Sequence, residues 1–90
     1  MPQVYEILGY HVYFWSNEAG ECVHFHITKG CPHHNDTKFW VTSTGDVLLA
    51  HNKGGISKND LRKLLPRLRA NSYLVVRDWL HYHGQCCYYV

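Results

Sequence analysis

The stretch Cys22-Val-His-Phe-His-Ile-Thr28 decides the fold. Apolar and polar residues alternate along it, and this alternation predicts a half-buried β-strand because successive strand side chains point to opposite faces. The apolar set is Val23, Phe25 and Ile27, and the opposite set is Cys22, His24, His26 and Thr28. We expect the first set to face a hydrophobic core and the second to face solvent.

The segments on either side of this strand also have the composition of strands. Residues 3–8 and 10–16 are rich in β-branched and aromatic residues, and Gly9 between them indicates a tight turn or a bulge. Residues 37–42 and 47–51 form a predicted hairpin around the turn 43–46. These patterns predict one antiparallel sheet of about five strands.

After residue 56 the apolar residues recur at helical spacing. Ser57 and Asp60 resemble a capping box at the start of a helix, and four leucines then share one face: Leu61, Leu64, Leu65 and Leu68. Pro66 should kink or end this helix. Asn71 is the predicted C-cap, Ser72 the N-cap of a second helix over 73–83, and Gly84 its end.

The predicted architecture is therefore an α+β fold in a single domain over residues 1–90. The sheet occupies residues 1–51, the helices 57–83, and a short tail 84–90. One kinked helix in place of two is the alternative that Pro66 leaves open. A chain of 90 residues buries only a modest core, and this favours a homodimer or another partner interface.

Composition and charge exclude several classes of protein. A hydrophobic content of 46% excludes a disordered chain, and no apolar run approaches a membrane span. The first residues lack the basic and apolar regions of a signal peptide, so we expect a cytoplasmic protein with free thiols. The formal net charge of +2 is unevenly placed: residues 1–56 sum to −2 and residues 57–90 to +4.

The histidine pair of the deciding strand supports two chemical hypotheses. His24 and His26 lie two residues apart and leave the same face, so they can act as general acid and base of a metal-free ribonuclease. Together with Cys22, Cys31 and His33 they can instead supply the ligands of a zinc site, although the spacing matches no standard zinc-finger pattern. The alternative without function is a solvated strand face.

The first predicted helix carries most of the positive charge. With its leucines toward the core, Lys58, Arg62 and Arg69 fall along one flank, where they can contact a nucleic acid or an acidic protein partner. The alternative is the ordinary basic solvent face of an amphipathic helix.

The chain also resembles a small bacterial family, the domain-of-unknown-function family DUF4160. The resemblance rests on the Met1-Pro2 start with Ile7-Leu8-Gly9, on the aromatic strand Val12-Tyr-Phe-Trp-Ser-Asn17, on His24-Phe-His26, on Leu61 to Leu68 and on Trp79. It covers about residues 1–83. Where family members commonly have two prolines before the first histidine, this chain has Glu21-Cys22-Val23.

The resemblance implies no activity, since none is established for the family. Its genes often lie in small bacterial operons of the toxin–antitoxin or mobile-element kind, which implies a regulatory or toxin-like role beside a protein partner encoded nearby. We therefore expect a non-enzymatic binding or regulatory module without a cofactor. A histidine-dependent nuclease or toxin acting on RNA is the first alternative, and a small metal-binding protein, with zinc as the candidate ion, is the second.

Overall fold

The computed structural model describes residues 3–90, so the Met1-Pro2 start lies outside the described residues. Five strands form one antiparallel sheet in chain order, and two helices follow, which confirms the predicted α+β fold. The strands are β1 (Gln3–Ile7), β2 (Tyr10–Tyr13), β3 (His24–Thr28), β4 (Thr37–Val41) and β5 (Val47–His51). The helices are α1 (Lys58–Ala70) and α2 (Ser72–His83).

A two-residue turn joins β1 to β2. Leu8 and Gly9 both have positive φ, 50° and 81°, and Ile7 pairs with Tyr10 across the turn. Two consecutive positive φ values are typical of the type I′ hairpin turn, which matches the right-handed twist of the strands. Gly9 therefore makes the tight turn that the sequence predicts, and Leu8 adopts a backbone conformation that leucine rarely takes.

Strand β2 ends earlier than predicted, and strand β3 begins later than predicted. β2 ends at Tyr13 because Phe14 packs against the rings of Trp79 and His83 in α2, 5.1 and 5.5 Å away. β3 begins at His24, because the Val23 N–H donates to the carbonyl of Cys87 in the C-terminal tail. The segment between them is a loop that folds beside β3.

Helix α1 begins as predicted but does not end where Pro66 suggests. Ser57 Oγ accepts a hydrogen bond from the Asp60 N–H, whereas the Asp60 carboxylate accepts one from the Tyr10 hydroxyl and leaves the capping box half complete. The helix continues through Pro66, which is exposed. Leu64 and Leu68, on either side of it, are fully buried, and this packing outweighs the lost hydrogen bond.

The two helices are separated at Asn71 rather than at Pro66. Asn71 is the C-cap of α1, and the predicted N-cap, Ser72, is instead the first residue of α2. The Ser72 hydroxyl does not cap the helix, because it donates to the Gly45 carbonyl in the β4–β5 turn at 2.6 Å. Gly84, with φ of 76°, ends α2 as predicted.

The core lies between the helices and one face of the sheet. Fully buried residues from the strands, such as Val12, Phe25 and Phe39, pack with Leu64 and Leu68 of α1 and with others of the same cluster. Leu61 and Leu65 lie partly buried at its margin, so the predicted leucine face is confirmed. Neither helix in the described part of the chain is long and apolar enough to cross a bilayer.

Candidate functional site

The two histidines of β3 lie on the sheet face opposite Phe25 and Ile27. The strand register places His26 beside Tyr13 of β2 and His24 beside Trp40 of β4. Both imidazoles are buried, with His24 at 0% exposure and His26 at 5%. The expectation of a solvated face is therefore wrong, because other parts of the chain fold over this face.

Three separate segments enclose the histidines. Trp79 of α2 contacts His24 with ring centroids 5.1 Å apart, and Tyr89 of the tail stacks on Trp40 at 4.7 Å. The third segment is the loop after β2, which places the carboxylate of Glu18 against both imidazoles. These contacts arise from residues distant in the sequence, so the alternation within the strand does not indicate them.

Each oxygen of the Glu18 carboxylate has a distinct role. Oε1 accepts a hydrogen bond of 2.8 Å from the backbone N–H of Trp15, which fixes the orientation of the side chain. Oε2 lies 2.8 Å from Nε2 of His24 and 3.4 Å from Nε2 of His26. One carboxylate oxygen therefore meets both imidazoles.

Burial and the two imidazoles act in opposite directions on the acidity of Glu18. Burial raises the pKa of the carboxyl, but the contacts with His24 and His26, together with the hydrogen bond from Trp15, outweigh it and hold the pKa well below its usual range. Glu18 is therefore a carboxylate at neutral pH. A carboxylate and two imidazoles that meet at one point can hold a cation.

The hydrogen bond of Nδ1 fixes the tautomer of His24. Nδ1 lies 2.8 Å from the Cys22 carbonyl oxygen, and since that oxygen can only accept, Nδ1 carries the hydrogen. Nε2 is fully buried and has no aligned hydrogen-bond partner, although Glu18 Oε2 lies close by. In a neutral imidazole this nitrogen directs a lone pair into the group.

His26 is held by its neighbours in β2 and in the loop. Its ring packs against that of Tyr13 with centroids 5.4 Å apart, and the Tyr13 hydroxyl donates to the Asp36 carboxylate. Nδ1 of His26 is buried and has no hydrogen-bond partner among the described residues. Nε2 of His26 instead donates a long hydrogen bond of 3.4 Å to Oε2 of Glu18, since a carboxylate oxygen can only accept.

The other residues proposed as metal ligands lie outside this group. Cys22 is near the group through its backbone carbonyl, but its sulfur lies 2.9 Å from that of Cys87, and the hydrogen bond between these thiols raises the pKa of Cys22. Cys31 is exposed, and the ring of His33 stacks on His34. The structure thus groups His24 and His26 with Glu18 and leaves Cys22, Cys31 and His33 apart.

The basic residues of α1 are all exposed, but they differ in their partners. Lys58 and Arg62 form no ion pair with any described residue. Arg69 binds the Asp46 carboxylate of the β4–β5 turn at 2.7 Å, which ties the end of α1 to the sheet. Two of the three cations predicted for partner binding therefore remain available.

Glu18 is the residue that the sequence reasoning missed. It lies in the segment 17–21, which the composition predicts only as a turn. The one available signal was its position, since a carboxylate in the turn immediately before a His-x-His strand can fold back over that strand. No standard ligand spacing marks Glu18, His24 and His26 as a set.

Comparison with known families identifies one match. A family model described as "Domain of unknown function (DUF4160)" matches residues 9–80 of the chain. No curated protein matches the chain, and no solved structure does.

Proposed function

The chain belongs to the DUF4160 family, and we propose that it is a small non-enzymatic binding module that contacts a polyanionic partner through α1. The observation that carries this proposal is that Lys58 and Arg62 are exposed on that helix and form no ion pair with any residue that the structure describes. The family description assigns no activity, and the proposal is supported by the distribution of charge on the folded chain.

The charge of α1 is strongly one-sided. Residues 58–70 contain five basic residues and one acidic residue, Asp60. The acidic side chain is occupied by the Tyr10 hydroxyl, and Lys29 lies 3.9 Å from it. Asp60 therefore neutralises little of the positive charge of Lys58, Arg62 and Lys63 on the helix surface. Such a surface attracts phosphates through long-range Coulomb forces and through release of counterions.

Arg69 plays a different part in this proposal. Its guanidinium is committed to Asp46, and both side chains are about half exposed, so water screens the pair and it adds little stability. A partner can attract Arg69 only in competition with Asp46. We therefore assign the leading contacts to Lys58 and Arg62.

A nucleic acid is the partner that best fits a row of exposed point charges on a helix. A protein encoded nearby is the other partner that we propose, as in a two-gene bacterial toxin–antitoxin or mobile-element system in the cytoplasm. A homodimer is supported by β5, an edge strand with Leu48 and Leu49 about half exposed.

The alternative of a histidine-dependent nuclease is less well supported. General acid–base catalysis requires the imidazole within hydrogen-bond distance of the substrate. His24 and His26 are enclosed by protein, and their Nε2 atoms face Glu18 rather than a cleft. An RNA phosphate has no route to them unless the loop that carries Glu18 moves away.

Binding of a fluorescein-labelled RNA oligonucleotide and a short DNA duplex to the full chain tests the proposal. Arg62→Glu should weaken binding about three- to tenfold at low salt and make the dependence of log affinity on log salt shallower by about one. Arg77→Glu on α2 makes the same change of charge away from α1 and is the matched control. It should have a much smaller effect.

Two results contradict the nucleic-acid proposal: equal effects of Arg62→Glu and Arg77→Glu, or no binding of either probe. In the second case, co-expression with the product of the neighbouring gene tests the protein partner. Failure of that product to co-purify would exclude the binding-module proposal altogether.

A further inference from the structure

We propose that Glu18, His24 and His26 form a binding site for one divalent transition-metal ion, best matched by zinc. Their candidate ligand atoms all lie within 4.8 Å of one another. This site is separate from the basic surface of α1. It also differs in composition from the zinc site expected from the sequence, because a carboxylate replaces the cysteines.

The orientation of His24 is the first argument for a metal. Nδ1 donates to the Cys22 carbonyl, so Nε2 is the ring nitrogen that faces the carboxylate oxygen, 2.8 Å away. When Nε2 carries no hydrogen, it and the carboxylate oxygen repel each other at that distance unless a cation is shared between them. An N–H on Nε2 is poorly aligned with this oxygen, whereas a metal ion can be bound by both atoms.

The convergence of a second imidazole is the next argument. Nε2 of His26 is hydrogen-bonded to the same oxygen of Glu18 at 3.4 Å, so two imidazole nitrogens and one carboxylate oxygen converge on one point, and a metal ion would take the place of the hydrogen between them. Zinc binds imidazole nitrogen at about 2.0–2.1 Å and carboxylate oxygen at about 2.0–2.2 Å, so a tetrahedral site separates its ligands by about 3.3 Å. The separation of 3.4 Å matches that value, whereas that of 2.8 Å is shorter, so an ion would move His24 and Glu18 slightly apart.

Two of the three proposed ligands, His24 and Glu18, already have the supporting hydrogen bonds that are common in metal sites. A metal-bound histidine commonly donates its other ring N–H to a backbone carbonyl, as His24 does to Cys22. The carboxylate is likewise fixed, because Oε1 of Glu18 accepts the Trp15 N–H. These contacts fix the tautomer of His24 and the direction of Glu18 before an ion binds.

The nature of the ligands selects among metals. Two imidazoles and one carboxylate suit zinc and its first-row neighbours, whereas magnesium and calcium prefer oxygen ligands only. Three protein ligands leave a fourth position for water or a small anion. Since His24 and His26 are buried, we assign the ion the role of fixing the Glu18 loop onto β3.

Cobalt substitution tests both the site and its composition. Untagged full-length protein, stripped of metal, should bind one Co²⁺ with the visible absorption of a tetrahedral complex and without the near-ultraviolet band of a thiolate ligand. Glu18→Gln should lose this spectrum, whereas Cys22→Ser should retain it. His34→Gln, which removes an exposed histidine, is the control for adventitious binding and should also retain it.

Thermal unfolding of the wild-type chain in zinc chloride is a second measurement, and it does not require that any variant folds. Zinc should raise the Tm of the wild-type chain, and chelator should reverse the increase. The proposal is overturned if wild-type protein gives no tetrahedral cobalt spectrum, if a thiolate band appears and disappears in Cys22→Ser, or if zinc leaves the Tm unchanged.

Discussion

The surroundings of His24 show how far the environment of one residue depends on distant parts of the chain. The alternation in β3 correctly predicts that His24 and His26 leave the same face. It does not predict their burial, because Glu18, Trp79 and the tail that cover them lie outside the strand. The direction of a strand side chain follows from local periodicity, whereas its burial depends on tertiary contacts that the local sequence does not indicate.

Two tyrosines near α1 and β1 provide a prediction at the scale of single residues. The hydroxyl of Tyr5 is buried without a partner, whereas that of Tyr10 donates to Asp60 at 2.8 Å. Tyr5→Phe should therefore leave the free energy of unfolding unchanged or raise it by up to about 1 kcal/mol, and Tyr10→Phe should lower it by about 1 kcal/mol. Urea unfolding at neutral pH measures both.

The same tyrosines predict the behaviour in alkali. Burial raises the pKa of Tyr5 to about 12, and burial together with Asp60 raises the pKa of Tyr10 to about 12. Ionisation of these tyrosines leaves stability unaffected below the unfolded pKa of about 10 and lowers it as the pH rises toward 12, because only the unfolded chain ionises in that range. Equal alkaline sensitivity in wild type and Tyr5→Phe would contradict this assignment.

At the scale of elements, the sequence predicts strands and helices best where their partners are close in the chain. Strand β5 and the Ser57 cap of α1 lie where the local pattern places them. The start of β3 does not, because the Val23 N–H pairs with Cys87 in the tail. Pro66 also fails as a signal, since burial of the leucines around it keeps α1 continuous.

The β1–β2 turn provides the prediction for an element. Leu8 has φ of 50° in a position where asparagine and glycine are preferred, and its side chain is 49% exposed. Leu8→Asn should relieve this strain at little cost in burial and raise the free energy of unfolding by about 0.5–1 kcal/mol. Denaturant titration measures the change.

A second exposed leucine serves as the control for this substitution. Leu48 is 45% exposed but lies in the extended strand β5, where asparagine is unfavourable. Leu48→Asn should therefore be neutral or destabilising. If the two substitutions changed stability equally, relief of backbone strain at Leu8 would not be the cause.

At the scale of the whole molecule, the chain closes around the second face of its sheet. The loop after β2 brings Glu18 to the histidines, and the tail returns to the sheet, where the Val90 carbonyl accepts the Ser43 N–H. The tail was expected only as a short extension. Its docking helps to convert an open His-x-His strand into an enclosed group suited to a cation, and it leaves α1 as the exposed charged surface.

Modification of the folded protein by diethyl pyrocarbonate, located by peptide mass spectrometry, tests this enclosure most directly. His34 and His81 are exposed and should react, whereas His24 and His26 should remain unmodified until the protein unfolds. Reaction of His24 or His26 at the rate of the exposed histidines would contradict the buried Glu18 group. It would restore the open face that a nuclease requires.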